Sequence, residues 1–372
     1  MTTFAHLGIQ KEYVKALKEL NIIAPTAIQA QTIPILLNNQ TDFIGLAQTG
    51  TGKTAAYGLP LLHIISPLNL EVQALILAPT RELVQQIKKQ LFKFTKYCND
   101  SVYCEGVYGG EKIDRQIKAL KRPSHIVVAT PGRLLDLIER DAVNIKQIQT
   151  LILDEADEML SMGFKNDLNK ILKYATTHCN TWLFSATMPP EIQSIVKTYM
   201  SPKTIKIAVN KQEVVNTNIS HQFVRTALKR KETVLISLLD QFDKQRGIVF
   251  CNTKASTQNV YNILKNEGFL VGALEGDMPQ KERDKVMRAF KNERIQILIS
   301  TDVSARGIDV SNLAFVIHHQ LPEQAAYYTH RSGRTARAGK KGRSIALILD
   351  DEQKNIQELE KKLGIQFTEF HR

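Results

Sequence analysis

The chain has 372 residues, 43% hydrophobic and 23% charged, a composition that fills two ordinary globular cores and excludes a disordered or fibrous polypeptide. Its formal net charge of +12 fits a polyanionic partner and fits plain solubility equally well. No apolar stretch nears the ~18 residues of a membrane span, residues 1–11 lack a signal-peptide pattern, and the cysteines at 98, 104, 179 and 251 form no C-x-x-C pair. A cytoplasmic, reducing environment without membrane or zinc is therefore expected.

Short apolar or β-branched runs predict strands at 43–46, 74–78, 126–129, 151–153 and 182–184, with helical periodicity between them, as at 82–94 and 113–120. That alternation predicts a parallel sheet with helices on both faces. The rhythm loosens over 203–217, which sets the expected domains at 1–208 and 209–372. The second half repeats the logic with runs at 247–251, 271–274, 295–299, 314–318 and 344–349.

The segment Ala47-Gln48-Thr49-Gly50-Thr51-Gly52-Lys53-Thr54 follows a predicted strand and opens a helical stretch. There the glycines let backbone N–H groups wrap phosphates, and the helix N-terminus adds positive potential. Lys53 reaches the outer phosphates and Thr54 suits Mg²⁺. A bare glycine-rich turn does not call for the ending Gly52-Lys53-Thr54, so a phosphate-binding loop is expected. Farther on, the run 151–153 leads straight into Asp154-Glu155-Ala156-Asp157. Ligands of doubly wound sheets gather at the carboxyl ends of strands, which aims these carboxylates at the crevice of Lys53. Asp154 suits the Mg²⁺ shell through a water, and Glu155 is placed to orient or deprotonate an attacking water. Alone, the acidic run would read as a helix N-terminus; the upstream phosphate loop decides between the two.

With these residues in place, the chain resembles the DEAD-box RNA helicases of helicase superfamily 2, which are named for the tetrad Asp154 to Asp157. The likeness covers nearly the whole sequence. It implies an α/β fold of two tandem RecA-like, doubly wound parallel-sheet domains joined by a short linker, with ATP and Mg²⁺ as cofactors and RNA as partner. Pro25-Thr26-Ala27-Ile28-Gln29 is similar to the adenine-reading Q motif, with Phe4 upstream and Gln29 on the adenine edge. Gln48, Thr49, Gly50, Thr51 and Gly52 then join Lys53 and Thr54 in binding ATP. Ser185-Ala186-Thr187 resembles the motif that couples hydrolysis to RNA engagement, and Asp157 and His330 share that role. Ser304-Ala305-Arg306-Gly307-Ile308-Asp309 and His330-Arg331-Ser332-Gly333-Arg334-Thr335-Ala336-Arg337 resemble motifs V and VI. They imply Gly307 and Asp309 at the ribose region, and Arg334 and Arg337 as arginine fingers reaching across the cleft. Basic side chains delivered only on closure make hydrolysis conditional on closure, an effect of about 10³ to 10⁵ in rate. Without the family pattern, the arginines at 331, 334 and 337 read as a solvated basic turn or a phosphate patch.

RNA contacts implied by the resemblance fall on Pro79, Thr80, Arg81, Gly109, Gly110, Thr130, Pro131, Gly132 and Arg133 in the first half. In the second they fall on Asn252, Thr253, Gln280, Arg283, Thr301 and Asp302. Small residues let main-chain N–H groups approach phosphates and Arg supplies charge, so sequence-blind contact with the sugar-phosphate backbone is expected. Two positions depart from the family pattern. Asn21-Ile22 replaces a Gly-aromatic pair, which makes the adenine contact of Ile22 aliphatic, and Ala336 stands where many members carry Gly. No basic or Arg-Gly-rich extension follows the last predicted strand, so no built-in substrate address is expected, and ribonucleoprotein partners are not legible. The expected activity is RNA-stimulated ATP hydrolysis by a monomer, coupled to local, non-processive unwinding or remodelling of single strands and short duplexes. An ATP-gated RNA clamp with little turnover and a DNA motor are the alternatives. Trp182, His318 and His319 are expected to pack, and 229–231 to form a solvated face of mixed charge.

Overall fold

The computed structural model describes every residue except 1, 40, 49, 176–178, 210–217, 306–312, 337–340 and 371–372. The chain divides into two compact units, Met1–Asn210 and Lys211–Arg372.

Strands β1 to β7 of the first unit are Phe43–Leu46, Ala74–Leu77, Cys104–Val107, Ile126–Ala129, Thr150–Leu153, Asn180–Ser185 and Ile205–Ala208. All pair in parallel, in the order β3-β4-β2-β5-β6-β1-β7. β2 and β4 are apolar at every position because both faces of the sheet are covered. Ala74 and Ile76 face one core with Tyr57, Leu91 and Trp182, whereas Leu75 and Leu77 face another with Leu134, Met159 and Leu168. The helices Lys53–Ile64 and Arg81–Phe94 close the first layer, and Pro131–Glu139 and Lys165–Ala175 close the second. Arg81–Phe94 buries Leu83, Val84, Ile87, Leu91 and Phe94, one stripe at helical spacing, and starts at Thr80, whose Oγ1 accepts the Leu83 N–H at 3.2 Å. Just before β1, Asp42 accepts the N–H groups of Thr181 at 2.7 Å and Ser201 at 2.5 Å, fastening β6 and the approach to β7 onto β1.

β3 and β7 have no predicted counterpart. Both are edge strands: β3 carries Glu105 and Gly106, and β7 alternates half-buried Ile205 and Ile207 with exposed Lys206 and Ala208. Neither shows the continuous apolar run of a central strand, and β7 takes its register from pairing with β1.

Strands β8 to β14 of the second unit are Ile219–Arg225, Gly247–Phe250, Val271–Leu274, Ile297–Ser300, Phe315–His318, Gly342–Ile348 and Thr368–Glu369. They are again parallel, in the order β10-β11-β9-β12-β13-β8-β14. Val249, Ile299, Phe315 and Ile345 face one core, and Ile248, Leu298 and Val316 the other. β8 and β14 were not legible, since Ser220, His221 and Gln222 interrupt the apolar pattern of β8 and β14 is two exposed residues. Lys231 corrects the expectation for 229–231: it is 5% exposed and opens the helix Lys231–Asp240, so only part of that run is a solvated face. Two tandem all-parallel sheets flanked by helices are the RecA-like architecture that the family resemblance implies. No helix among the described residues is long and apolar enough to cross a membrane.

Candidate functional site

In the first sheet β5, β6 and β1 are neighbours, so the acidic tetrad, the Ser185-Ala186-Thr187 turn and the phosphate loop leave the sheet side by side at its carboxyl edge. Lys53 opens its helix, is 6% exposed, and has a buried Nζ with no hydrogen-bond partner. An ammonium held this way is costly unless an anion joins it. Gly50 and Gly52 have φ of +86° and +88°, a region that glycine enters freely. At Gly52 there is also no room for more, since a Cβ would stand 2.3 Å from Gln29 Nε2.

Gln29 is itself buried, and both ends of its amide are engaged. Oε1 accepts the Thr26 N–H at 3.0 Å and Nε2 donates to the Gly52 carbonyl at 3.0 Å. Thr26 Oγ1 donates to the Thr51 carbonyl at 2.8 Å, and Thr51 Oγ1 to that of Gln48 at 2.7 Å. The Pro25–Gln29 segment therefore grips the phosphate loop by its backbone. Phe4 is 2% exposed in the first core with Ile9, Tyr13 and Leu17, and Ile22 packs against the same cluster.

Asp154 is 2% exposed. Its Oδ2 accepts the Tyr57 hydroxyl at 2.8 Å and its Oδ1 accepts the Glu155 N–H at 2.9 Å. Burial pushes its carboxyl above the usual carboxylate range, opposed by the Lys53 ammonium, the Tyr57 hydroxyl and the Glu155 N–H. Glu155 sits at φ +50°, a left-handed conformation uncommon for a long side chain, at the start of the helix Ala156–Ser161. Asp157 Oδ2 accepts from Thr187 twice, from the N–H at 2.8 Å and from Oγ1 at 2.7 Å. Ser185 Oγ donates to the Thr187 carbonyl at 2.7 Å and accepts the Asp157 N–H at 3.3 Å. Three of the four expected coupling residues of this unit, Asp157, Ser185 and Thr187, are thus tied by hydrogen bonds, with Ala186 between the last two in the chain. Tyr57 was missed from sequence, although its spacing of four from Lys53 puts both on one helix face.

The neighbours β3, β4 and β2 deliver a second group. Arg81 lies over the Tyr108 ring, 5.0 Å from its centroid, and near Gly110, whose φ is +82°. Arg133 Nη1 donates to the Glu111 carbonyl at 3.1 Å and to Gln116 Oε1 at 3.0 Å. Pro79, Thr80, Arg81, Gly109, Gly110, Thr130, Pro131, Gly132 and Arg133 therefore share one end of the sheet. In the second unit β10, β11 and β9 do the same for Gln280 with Arg283, Thr301 with Asp302, and Asn252 with Thr253. Thr253 caps the helix Lys254–Asn266, and Arg283 donates to the Ser304 carbonyl at 3.0 Å.

Arg331 is 1% exposed and organises this edge. Its Nε and Nη2 reach the two oxygens of Asp302 at 2.6 Å each, Nη2 also reaches Asn252 Oδ1 at 2.9 Å, and Nη1 donates to the Gln320 carbonyl at 2.8 Å. His330 lies in the last turn of the same helix, Ala325–Ser332, and Arg334 follows that helix, half-buried. Ala336 adopts φ +55°, the conformation that favours glycine there. Thr49, Gly307, Asp309 and Arg337 lie outside the described residues. Among the described residues no group of three or more His, Cys, Asp or Glu side chains converges to hold a metal alone.

Residues 26–195 match the model of the DEAD/DEAH box helicase family, and residues 230–339 match the helicase conserved C-terminal domain. The chain is 40% identical over 362 residues to the DEAD-box ATP-dependent RNA helicase CshA of Geobacillus kaustophilus, covering 97% of this chain and 76% of that protein. It is 42% identical over 359 residues to the ATP-dependent RNA helicase CshA of Limosilactobacillus reuteri, covering 96% and 71%. Among solved structures, S. cerevisiae Dbp5 bound to RNA and ADP BeF3 is similar with a TM-score of 0.90 at 30% identity, covering 100% of this chain and 96% of that one. A glycine-bearing loop held at Gly52 from Gln29, a buried Asp154 and this identity along almost the full length lead to one conclusion: the chain belongs to the DEAD-box ATP-dependent RNA helicases.

Proposed function

We propose that this helicase couples RNA-stimulated ATP hydrolysis to local, non-processive melting of short duplexes or remodelling of RNA–protein complexes. The observation that carries the nucleotide half is the buried Lys53 ammonium, whose Nζ has no hydrogen-bond partner, beside the buried Asp154 carboxylate. A polyphosphate satisfies the first and a hydrated cation the second. The residues fit Mg²⁺ in particular, which takes hard oxygen ligands and is held by one or two carboxylates together with substrate phosphates and waters. Thr54 and Asp154 are the proposed ligands, Asp154 through water. When bound, the ion supplies charge stabilisation to the transferring phosphoryl group. Lys53 and the loop from Gln48 to Thr54 orient the phosphates, and Glu155 orients the attacking water.

Asp157, Ser185, Ala186, Thr187 and His330 are proposed to couple that site to RNA. Arg334 and Arg337 are the proposed source of transition-state charge from the second unit, which would make turnover conditional on both units. The two threonine- and arginine-bearing sheet ends are the proposed RNA contacts, made to the sugar-phosphate backbone. Residues 1–208 form the proposed ATP-binding domain and 209–372 the proposed C-terminal helicase domain of a cytoplasmic monomer. Stacking of ~1.4 kcal/mol per base-pair step, a DNA value, limits one binding cycle to a few pairs.

The test is steady-state ATP hydrolysis by the full chain with no nucleic acid, with single-stranded RNA and with DNA of the same sequence, using Glu155→Gln as the control. RNA should stimulate strongly and DNA weakly, because the 2′-hydroxyl is the group available to be read, and Glu155→Gln should abolish the stimulated rate. A wild-type chain that binds RNA with nucleotide yet hydrolyses no faster than Glu155→Gln would be an ATP-gated clamp instead.

A further inference from the structure

Tyr57 is fully buried in the helix that Lys53 opens, and its hydroxyl ends on the one carboxylate proposed for the Mg²⁺ side of the nucleotide. The phenol ring is seated on Phe184, with centroids 5.1 Å apart at 53°, and Phe184 directly precedes Ser185. The ring therefore cannot swing away without disturbing the core between the phosphate-loop helix and β6. Thr54, the other proposed Mg²⁺ ligand, is a further polar neighbour of the same hydroxyl.

The carboxylate is held at both oxygens, Oδ1 by the Glu155 N–H at 2.9 Å and Oδ2 by Tyr57 at 2.8 Å. The Glu155 N–H alone would still let the Asp154 carboxylate rotate about χ2, a broad torsion. Adding the hydroxyl on the second oxygen fixes the carboxylate plane, and with it the direction of the lone pairs left for a metal-bound water. Phenylalanine would fill the same space with the same packing, so the oxygen is what needs explaining.

We infer that Tyr57 is a positioning residue of the nucleotide site, fixing the Asp154 carboxylate in the orientation that receives hydrated Mg²⁺ bound to the nucleotide. This rests on the assignment of Asp154 made under the proposed function. Outer partners of metal-binding carboxylates change metal affinity by about 10- to 100-fold when removed. The lower end is expected here, because Glu155 keeps its hold.

The experiment is equilibrium binding of N-methylanthraniloyl-ADP to the full chain, first in EDTA and then along a Mg²⁺ titration, for wild type and Tyr57→Phe, with thermal unfolding of each. Affinity in EDTA should match between the two, while the Mg²⁺ concentration giving half of the metal-dependent gain should rise about tenfold in Tyr57→Phe. In an Asp154→Asn background the same substitution should cause no further shift. Superimposable Mg²⁺ curves would overturn the inference, as would an equal shift in the Asp154→Asn background, which would mean that the hydroxyl acts through packing. A wild type whose affinity ignores Mg²⁺ would overturn the assignment of Asp154, and this inference with it.

Discussion

Arg331 puts a full positive charge at 1% exposure and surrounds it with Asp302, Asn252 and the Gln320 carbonyl. Such a charge is tolerable because each of its three nitrogens meets an acceptor. Arg331→Met is expected to destabilise the chain by about 3–5 kcal/mol, since Asp302 is left without its partner. Arg331→Lys should recover only part of that, because an ammonium cannot match the fork. Urea unfolding of the full-length variants checks both, and a loss under 1 kcal/mol for Arg331→Met would count against the buried pair as a structural anchor. In the sequence Arg331 is one of three arginines in a basic turn, and nothing local separates it from Arg334. Burial makes the distinction, and burial comes from where the helix Ala325–Ser332 docks.

That helix is held by a chain of neutral groups at the scale of whole elements. His318 on β12 reaches Ser344 on β13 at 3.0 Å, Ser344 meets Tyr328 and Ser332 of the helix at 3.1 and 2.8 Å, and Tyr328 meets His221 on β8 at 2.8 Å. Burial lowers the pKa of His221 to about 4 and that of His319 to about 4, and burial with the nearby Arg331 charge lowers that of His318 well below the ordinary value. The sign follows directly. The folded chain keeps these rings neutral, whereas the unfolded chain protonates them near ~6.5. Their contribution to stability is therefore complete above ~6.5 and is lost as pH falls toward about 4, at about 1.4 kcal/mol per pH unit for each ring. Urea unfolding at pH 7.5, 6 and 5 should show a steady fall, and His221→Gln should flatten it; an unchanged slope in that variant would exclude His221 from the effect. The packing of His318 and His319 was expected from sequence, but the Ser344 and Tyr328 links were not, because they join residues on separate elements.

Across the molecule one device appears twice: an all-parallel sheet whose carboxyl edge gathers threonine and arginine residues from three neighbouring strands, joined by Gly109, Gly110 and Gly132 in the first unit. With a net charge of +12 and the proposed contacts to phosphates, RNA affinity should fall with salt at a log-log slope of about −0.7 for each phosphate neutralised. Arg81→Ala should reduce the magnitude of that slope by about 0.7 while weakening all single-stranded sequences alike, measured by fluorescence anisotropy between low and physiological salt. A loss confined to particular sequences would point to base reading at Arg81 instead.

The linear order of residues alone determined the alternation of apolar runs and helical stripes, and hence the two parallel sheets. It also made the candidate phosphate loop and the acidic tetrad legible, because their patterns lie within a few consecutive positions. The tertiary structure decided what depends on pairing across the chain. Edge strands β3 and β7 exist because β4 and β1 pair with them, not because of their own weak pattern. Gln29 is turned onto the Gly52 carbonyl, Phe4 into the core and Tyr57 onto Asp154. Those are choices of side-chain direction and burial, set by elements 23 and 97 residues distant in the two hydrogen bonds, and no local pattern encodes them.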